Sequence, residues 1–148
     1  MEVIGRKDLV SFPAFGLFSV PVKIDSGAYT SSMHCSKIEL IGEGENAELH
    51  VIFLDEKYQG FTGKEFVFNK FKEKRVKSSN GQSQLRYFIT GTIRIFNKDY
   101  ETLFSLTQRT GLRNPILLGR KLLNKRFLID SSKINCSFEF EKQKLQSK

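Results

Sequence analysis

Short apolar alternations separated by turn residues recur along this chain, and that pattern decides its fold class. Gly42-Glu43-Gly44-Glu45-Asn46, Asn80-Gly81, Asn97-Lys98-Asp99 and Asn114-Pro115 each interrupt apolar sequence. Asn-Gly is a strong hairpin signal, because its residues tolerate the backbone a tight turn demands. Between the breaks, segments 3–6, 8–12, 17–24, 36–41, 48–54, 64–68, 87–96, 101–106, 116–118 and 127–129 read as strands. Pro13 ends the second of them, and 135–140 reads as a further strand. Residues 76–86 form a polar-centred hairpin. Only 119–125, with Leu122 and Leu123 among basic and polar neighbours, allows two helical turns. The expectation is an all-β barrel or sandwich of about ten short strands with one short helix near the C-terminus.

The size of 148 residues suits one domain, taken as 1–140 with a polar, frayed tail over 141–148. Hydrophobic residues at 39% and charged residues at 27% exclude a disordered chain, and no apolar run reaches the ~20 residues of a membrane span. Residues 1–8 lack the apolar core of a signal peptide, so a cytoplasmic protein without membrane attachment is expected. Cys35 and Cys136 form no CxxC and are expected as free thiols.

Net charge is +8, from 24 basic against 16 acidic residues. Such an excess attracts polyanions: nucleic acid, anionic lipid or acidic peptide. It gathers at Lys64, Lys70, Lys72, Lys74, Arg75 and Lys77, and again at Arg113, Arg120, Lys121, Lys125 and Arg126. Phe66, Phe68 and Phe71 interleave with the first cluster as nucleic-acid stacking residues would. Phe66 and Phe68 alternate, however, as the buried face of a strand does. Core packing therefore ranks ahead of nucleic-acid binding.

The chemistry concentrates at Val22-Lys23-Ile24-Asp25-Ser26-Gly27-Ala28, where a strand runs into an aspartate and a tight turn. An ionisable group beside apolar sequence costs free energy and calls for a partner or a function. Taken alone, Asp25 reads as a turn aspartate bonding nearby N–H groups. Ile116-Leu117-Leu118-Gly119-Arg120 echoes the same strand-into-glycine pattern in the second half of the chain.

Lys23-Ile24-Asp25-Ser26-Gly27-Ala28-Tyr29-Thr30-Ser31-Ser32-Met33-His34 resembles the signature of the RimK-associated, retropepsin-like aspartic endopeptidases, long labelled ATP-dependent zinc proteases. Val3-Ile4-Gly5-Arg6, the run from Arg75 to Gly81, and Leu117-Leu118-Gly119-Arg120 fall where that family has matching segments. The resemblance implies a retropepsin-like acid protease barrel built on a pseudo-repeat, and a homodimer in which Asp25 meets its twin. Two carboxylates in contact share one proton, and the ionised one activates water. By the same resemblance Ser26 cross-links the two loops, Gly27 allows the turn, and Ala28 admits substrate backbone. Residues 76–86 become a flap carrying Lys77, Ser78, Ser79, Asn80 and Gly81. Leu118 and Gly119 support the Asp25 loop.

Tyr29 departs from the family's usual Arg, and from the Asp that pairs with the Gly-Arg arginine in viral retropepsins. Arg120 must therefore find another partner or face substrate. Lys77, Arg86, Arg120 and Lys121 would rim a cleft favouring acidic peptides, in keeping with the family's association with ATP-grasp ligases that add glutamate tails. No cofactor is expected. His34 and Cys35 could hold zinc only if Cys136 or His50 came near; the ranking reading is a hydrogen-bonded His34 and a core Cys35. The alternatives are a catalytically inactive peptide-binding module of the same fold and, behind it, a zinc-dependent protease or a nucleic-acid-binding protein.

Overall fold

The computed structural model describes residues 1–77, 80–109 and 111–146. Its strands are β1 (Glu2–Ile4), β2 (Lys7–Phe12), β3 (Leu17–Ile24), β4 (Ser31–Ile41), β5 (Glu48–Phe53), β6 (Glu65–Phe68), β7 (Lys72–Lys77), β8 (Ser83–Ile95), β9 (Lys98–Thr107), β10 (Ile116–Leu118) and β11 (Phe127–Ile129). Helix α1 is the single turn Arg120–Leu123, and α2 spans Cys136–Gln146. No helix among the described residues is long and apolar enough to cross a membrane.

Pairing runs β10–β3–β2–β8–β9–β4, and β10 also pairs with β4, so the path returns to its start. β5 and β6 continue outward from β4, while β7 lies on β8. β1 and β11 form a separate parallel pair. Alternation sets which face is inside: β2 and β5 bury every second residue, as strands with one core face must. Val10, Val20, Val22, Met33, Ile89, Phe104 and Leu118 are at most 1% exposed and occupy that interior.

Phenylalanine supplies much of the packing. Phe15 stacks on Phe53 with centroids 4.4 Å apart and meets Phe66 and Phe68 edge-on at 5.8 and 6.0 Å. Phe66 and Phe68 are thus core packing, as their alternation predicts, and Phe71 lies against Tyr87 at 6.1 Å.

Three local expectations are corrected. The strand expected over 36–41 begins at Ser31, because Ser31 to His34 pair with Phe104 to Thr107 of β9 and Ser32 and Met33 with β10. The turn expected over Asn97-Lys98-Asp99 falls one residue earlier. Ile95 pairs with Lys98, and Phe96 and Asn97 take φ of 52° and 61°, as in a two-residue type I′ turn. The strand expected over 135–140 is instead the first part of α2, which runs on past Glu141 to Gln146. The first-turn N–H groups of Ser137 and Phe138 donate to the buried Asp8 carboxylate at 2.8 and 3.0 Å, satisfying donors that a helix start leaves orphaned. Cys136 and Phe140, one turn apart, pack against the core. The helix expected over 119–125 is shorter, stopping at Leu123.

Candidate active site

β10 lies between β3 and β4, although β3 leads directly into the loop from which β4 emerges. Leu117 and Leu118 pair in parallel with Lys23 and Ile24, while Ile116 and Leu117 pair antiparallel with Met33 and Ser32. The wedge holds the loop by its backbone. Asp25 N–H donates to the Leu118 carbonyl at 2.9 Å. Arg120 N–H donates to the Ala28 carbonyl at 2.8 Å and Lys121 N–H to the Tyr29 carbonyl at 2.9 Å.

Within the loop, Ala28 N–H donates to the Asp25 carbonyl at 3.2 Å, closing a tight turn. Gly27 N–H donates to Asp25 Oδ1 at 3.0 Å. One carboxylate oxygen is thereby fixed, and the other has no hydrogen-bond partner among the described residues. Asp25 is half-buried, whereas Ser26 and Gly27 are exposed. The Ser26 hydroxyl likewise makes no bond among the described residues.

Gly119 and Ser31 explain why this segment tolerates so little. Gly119 N–H donates to the buried Ser31 hydroxyl at 3.0 Å. A Cβ at position 119 would sit 2.7 Å from the Tyr29 carbonyl oxygen and 2.9 Å from that of Ala28. Both are backbone atoms of the Asp25 loop, so neither can swing away. Gly119→Ala should therefore destabilise the fold by roughly 1–3 kcal/mol, the usual cost of overpacking, and displace the loop. Urea midpoints of the two proteins check this; an unchanged midpoint would show that the contact relaxes freely.

Arg120, left without the acidic partner of viral retropepsins, finds two others. Its Nη1 donates to the Ser26 carbonyl at 2.9 Å, and its guanidinium lies 5.8 Å from the Tyr29 ring centroid. Tyr29 thus offers a π face where the viral enzymes offer a carboxylate.

His34 is buried and fully engaged. Its Nε2 lies 2.8 Å from Asp55 Oδ2, and its Nδ1 accepts the Arg109 N–H at 3.0 Å, which assigns the ring proton to Nε2. Burial pushes the Asp55 carboxyl up, but the Lys57 N–H and His34 outweigh that and leave it below the ordinary carboxylate value. Cys35 is buried, its Sγ lies 3.7 Å from the Met33 carbonyl, and burial pushes its thiol up. Neither side chain offers a ready ligand atom, and no group of three or more His, Cys, Asp or Glu among the described residues could hold a metal ion. His50 contacts Glu48 and Glu65 instead.

The hairpin of β7 and β8 carries Lys77 at the end of its first strand and turns through Asn80 and Gly81. Gly81 has φ of 85°, the left-handed backbone such a turn needs. Ser78 and Ser79, the centre of the expected flap, lie outside the described residues.

A cleft of about 520 Å³ adjoins the wedge and takes Lys23 and Leu117 from it. Arg86, from the hairpin's return strand, lines it; Asp25 does not, and Lys77, Arg120 and Lys121 are not among its lining residues. Arg109 and Arg113, which reach it from the segment between β9 and β10, replace them. Sequence reading passed over Lys23 and Arg109. Lys23 carried a signal in plain sight, because in the alternating β3 it falls on the face opposite the apolar, buried Val22 and Ile24.

Comparison with known proteins finds related chains. Residues 3–137 match the model of a family described as RimB-like, the retropepsin-like aspartic endopeptidase RimB. Over 138 residues the chain is 33% identical to a probable alpha-L-glutamate ligase of Shewanella pealeana (strain ATCC 700345 / ANG-SQ1), covering 90% of this chain but 29% of that protein. A probable alpha-L-glutamate ligase of Desulfotalea psychrophila (strain LSv54 / DSM 12343) is 28% identical over 149 residues, 97% of this chain and 31% of that one. The chain thus spans less than a third of the length of these relatives. The fold is similar to the crystal structure of Lpg0085, a protein of unknown function (DUF785) from Legionella pneumophila subsp. pneumophila str. Philadelphia 1. The TM-score is 0.67 at 18% identity, over 92% of this chain and 98% of that one.

Proposed function

This chain belongs to the RimB-like family of retropepsin-like aspartic endopeptidases, and from that premise we propose that it hydrolyses peptide bonds as a homodimer. The observation that carries the reading is the Asp25 carboxyl, held by Gly27 N–H through one oxygen while its other oxygen stays uncommitted. A single carboxyl in this pose cannot both activate water and polarise a carbonyl. Two copies facing each other can divide those tasks.

The ionised Asp25 takes a proton from a water held between the two acids, and the water oxygen bonds to the scissile carbonyl carbon. The protonated Asp25 gives its proton to the carbonyl oxygen, and a tetrahedral diol forms. The newly protonated Asp25 gives its proton to the amide nitrogen, the C–N bond breaks as a diol hydroxyl returns its proton to the other Asp25, and a carboxylic acid and an amine leave. In that dimer the exposed Ser26 hydroxyls bond across the two loops. The β7–β8 hairpin closes over substrate as a flap and excludes water.

Acidic, including glutamylated, peptide segments are the substrates that the cationic cleft favours. The two relatives named as glutamate ligases carry a region like this one within much longer chains, which supports a functional association with an ATP-grasp ligase that makes such segments.

The test is an assay of amidated oligoglutamate and neutral peptides across a dilution series of the protein. Oligoglutamate should be cleaved faster, with activity per chain falling as dilution dissociates the dimer. Cleavage of neither peptide at any concentration would overturn the hydrolase. Equal cleavage of both would overturn the acidic preference.

A further inference from the structure

We infer that the cleft lined by Lys23 and Leu117 is a built binding site for a substrate carboxylate, with the buried Ser105 hydroxyl as its floor and Arg86 and Arg109 as its cationic wall. It rests on the reading of this cleft as a peptide site and adds to it which atoms read the peptide.

The floor follows from strand register. Lys23 pairs with Leu117, Leu117 with Ser32, Ser32 with Ser105, and Ser105 with Phe88. This row crosses five strands on one face, since register partners share a face. Sequence neighbours of the row (Ile24, Leu118, Met33, Phe104 and Ile89) are buried in the core on the other face. All five members of the row line the cleft.

Ser105 is 5% exposed, and its Oγ is the buried side-chain polar atom left without a hydrogen-bond partner among the described residues. A hydroxyl in that state is costly unless a ligand accepts its proton. The groups around it say which ligand. Lys23, Arg86, Arg109 and Arg113 line the same space, no Asp or Glu does, and none of the four forms an ion pair among the described residues. A neutral donor at the floor with unpaired cations above suits a small planar anion. Phe88, Leu112 and Leu117 supply apolar walls for a methylene stem, so a glutamate side chain matches both parts.

The cationic wall is also anchored. Arg109 N–H donates to His34 Nδ1 at 3.0 Å, His34 N–H donates to the Pro115 carbonyl at 2.8 Å, and the Tyr58 hydroxyl donates to the Leu112 carbonyl. Holding the backbone on both sides of Arg113 lowers the ordering cost that a flexible segment would incur on binding.

The test measures binding to the Asp25→Asn protein by titration calorimetry, so that it does not depend on turnover. Probes are oligoglutamate and oligoglutamine peptides, each with an amidated and a free C-terminus. Adding Ser105→Ala or Arg86→Gln should weaken amidated oligoglutamate roughly tenfold, the order expected for a lost hydrogen bond to a charged group, and leave amidated oligoglutamine unchanged. Ser105→Ala removes no existing bond, so its melting temperature should not fall, and a folding defect cannot imitate the result. If the loss appears only with free C-termini, the carboxylate bound is that of the chain end, and the site stands with that source. An unchanged ratio of glutamate to glutamine affinity in both variants overturns the site. Absence of wild-type hydrolysis alongside intact discrimination would instead overturn the protease reading and leave this site standing.

Discussion

Asp25→Asn is expected to lower kcat for peptide hydrolysis by at least roughly a thousandfold while leaving the fold and the dimer intact, the scale on which positioned acid–base groups act. Asn is isosteric with Asp, and its carbonyl oxygen accepts the Gly27 N–H that Asp25 Oδ1 now accepts at 3.0 Å. The Asp25 N–H to Leu118 carbonyl bond is made by backbone and survives as well. What disappears is a group able to take a proton from water. Mixing sharpens the result: equal amounts of wild-type and variant chains, allowed to exchange, should retain about a quarter of the wild-type activity, because only dimers of two intact chains work. A value near one half would mean that each chain acts alone and would remove the paired-acid mechanism. Unchanged activity would remove Asp25 altogether, and a wild-type protein that binds peptide without cleaving it would be a binding module.

Asp8→Ala should destabilise the protein by about 3–5 kcal/mol, a large part of the stability of a domain this size. Asp8 is 1% exposed and accepts N–H bonds from Leu9, Ser137 and Phe138 at 2.8, 2.8 and 3.0 Å. Removing it leaves two helix-start donors without their acceptor. The damage spreads, since the Ser137 hydroxyl in turn accepts the Phe96 N–H at 2.8 Å and holds the β8–β9 turn.

The pH dependence of this contribution has a definite sign. Burial pushes Asp8 above its ordinary value of 3.8, and the three N–H groups offset only part of that. The folded state therefore holds this proton more tightly than the unfolded one, and the stability Asp8 contributes falls as pH rises from 3.8 through its raised folded value. Urea midpoints measured across that interval should show the gap between wild type and Asp8→Ala narrowing with rising pH. A widening gap would reverse the sign and the account with it.

Local physics made some elements legible and hid others. β3 spans Leu17–Ile24, as its alternation predicts, because one of its faces is core and its pattern carries that fact. The start of β4 was hidden: Ser31 and Ser32 look like loop, and their extended form comes from β9 and β10, which lie far along the chain. α2 was misleading, since Cys-Ser-Phe-Glu-Phe-Glu alternates like a strand while the group that caps it is Asp8, in β2. Phe96 at positive φ defied turn chemistry, because its ring packs on Phe127 and Phe140 at 6.1 and 5.6 Å and tertiary contact outweighs local preference.

The candidate site divides along the same line. The Asp25 loop and its Leu118–Gly119 support were readable as motifs because their geometry is local on each side of the wedge. The cleft was not, because Arg109 and Arg113 reach it through a segment hung on His34, a link no spacing rule reveals.

The position of β10 also sets when the Asp25 loop can take its final form. During synthesis, a chain lacking Ile116–Leu118 has no partner for the Asp25 N–H and no strand between β3 and β4. The Asp25 loop therefore gains its backbone hydrogen bonds to Leu118, Arg120 and Lys121 only after that distant segment has been made.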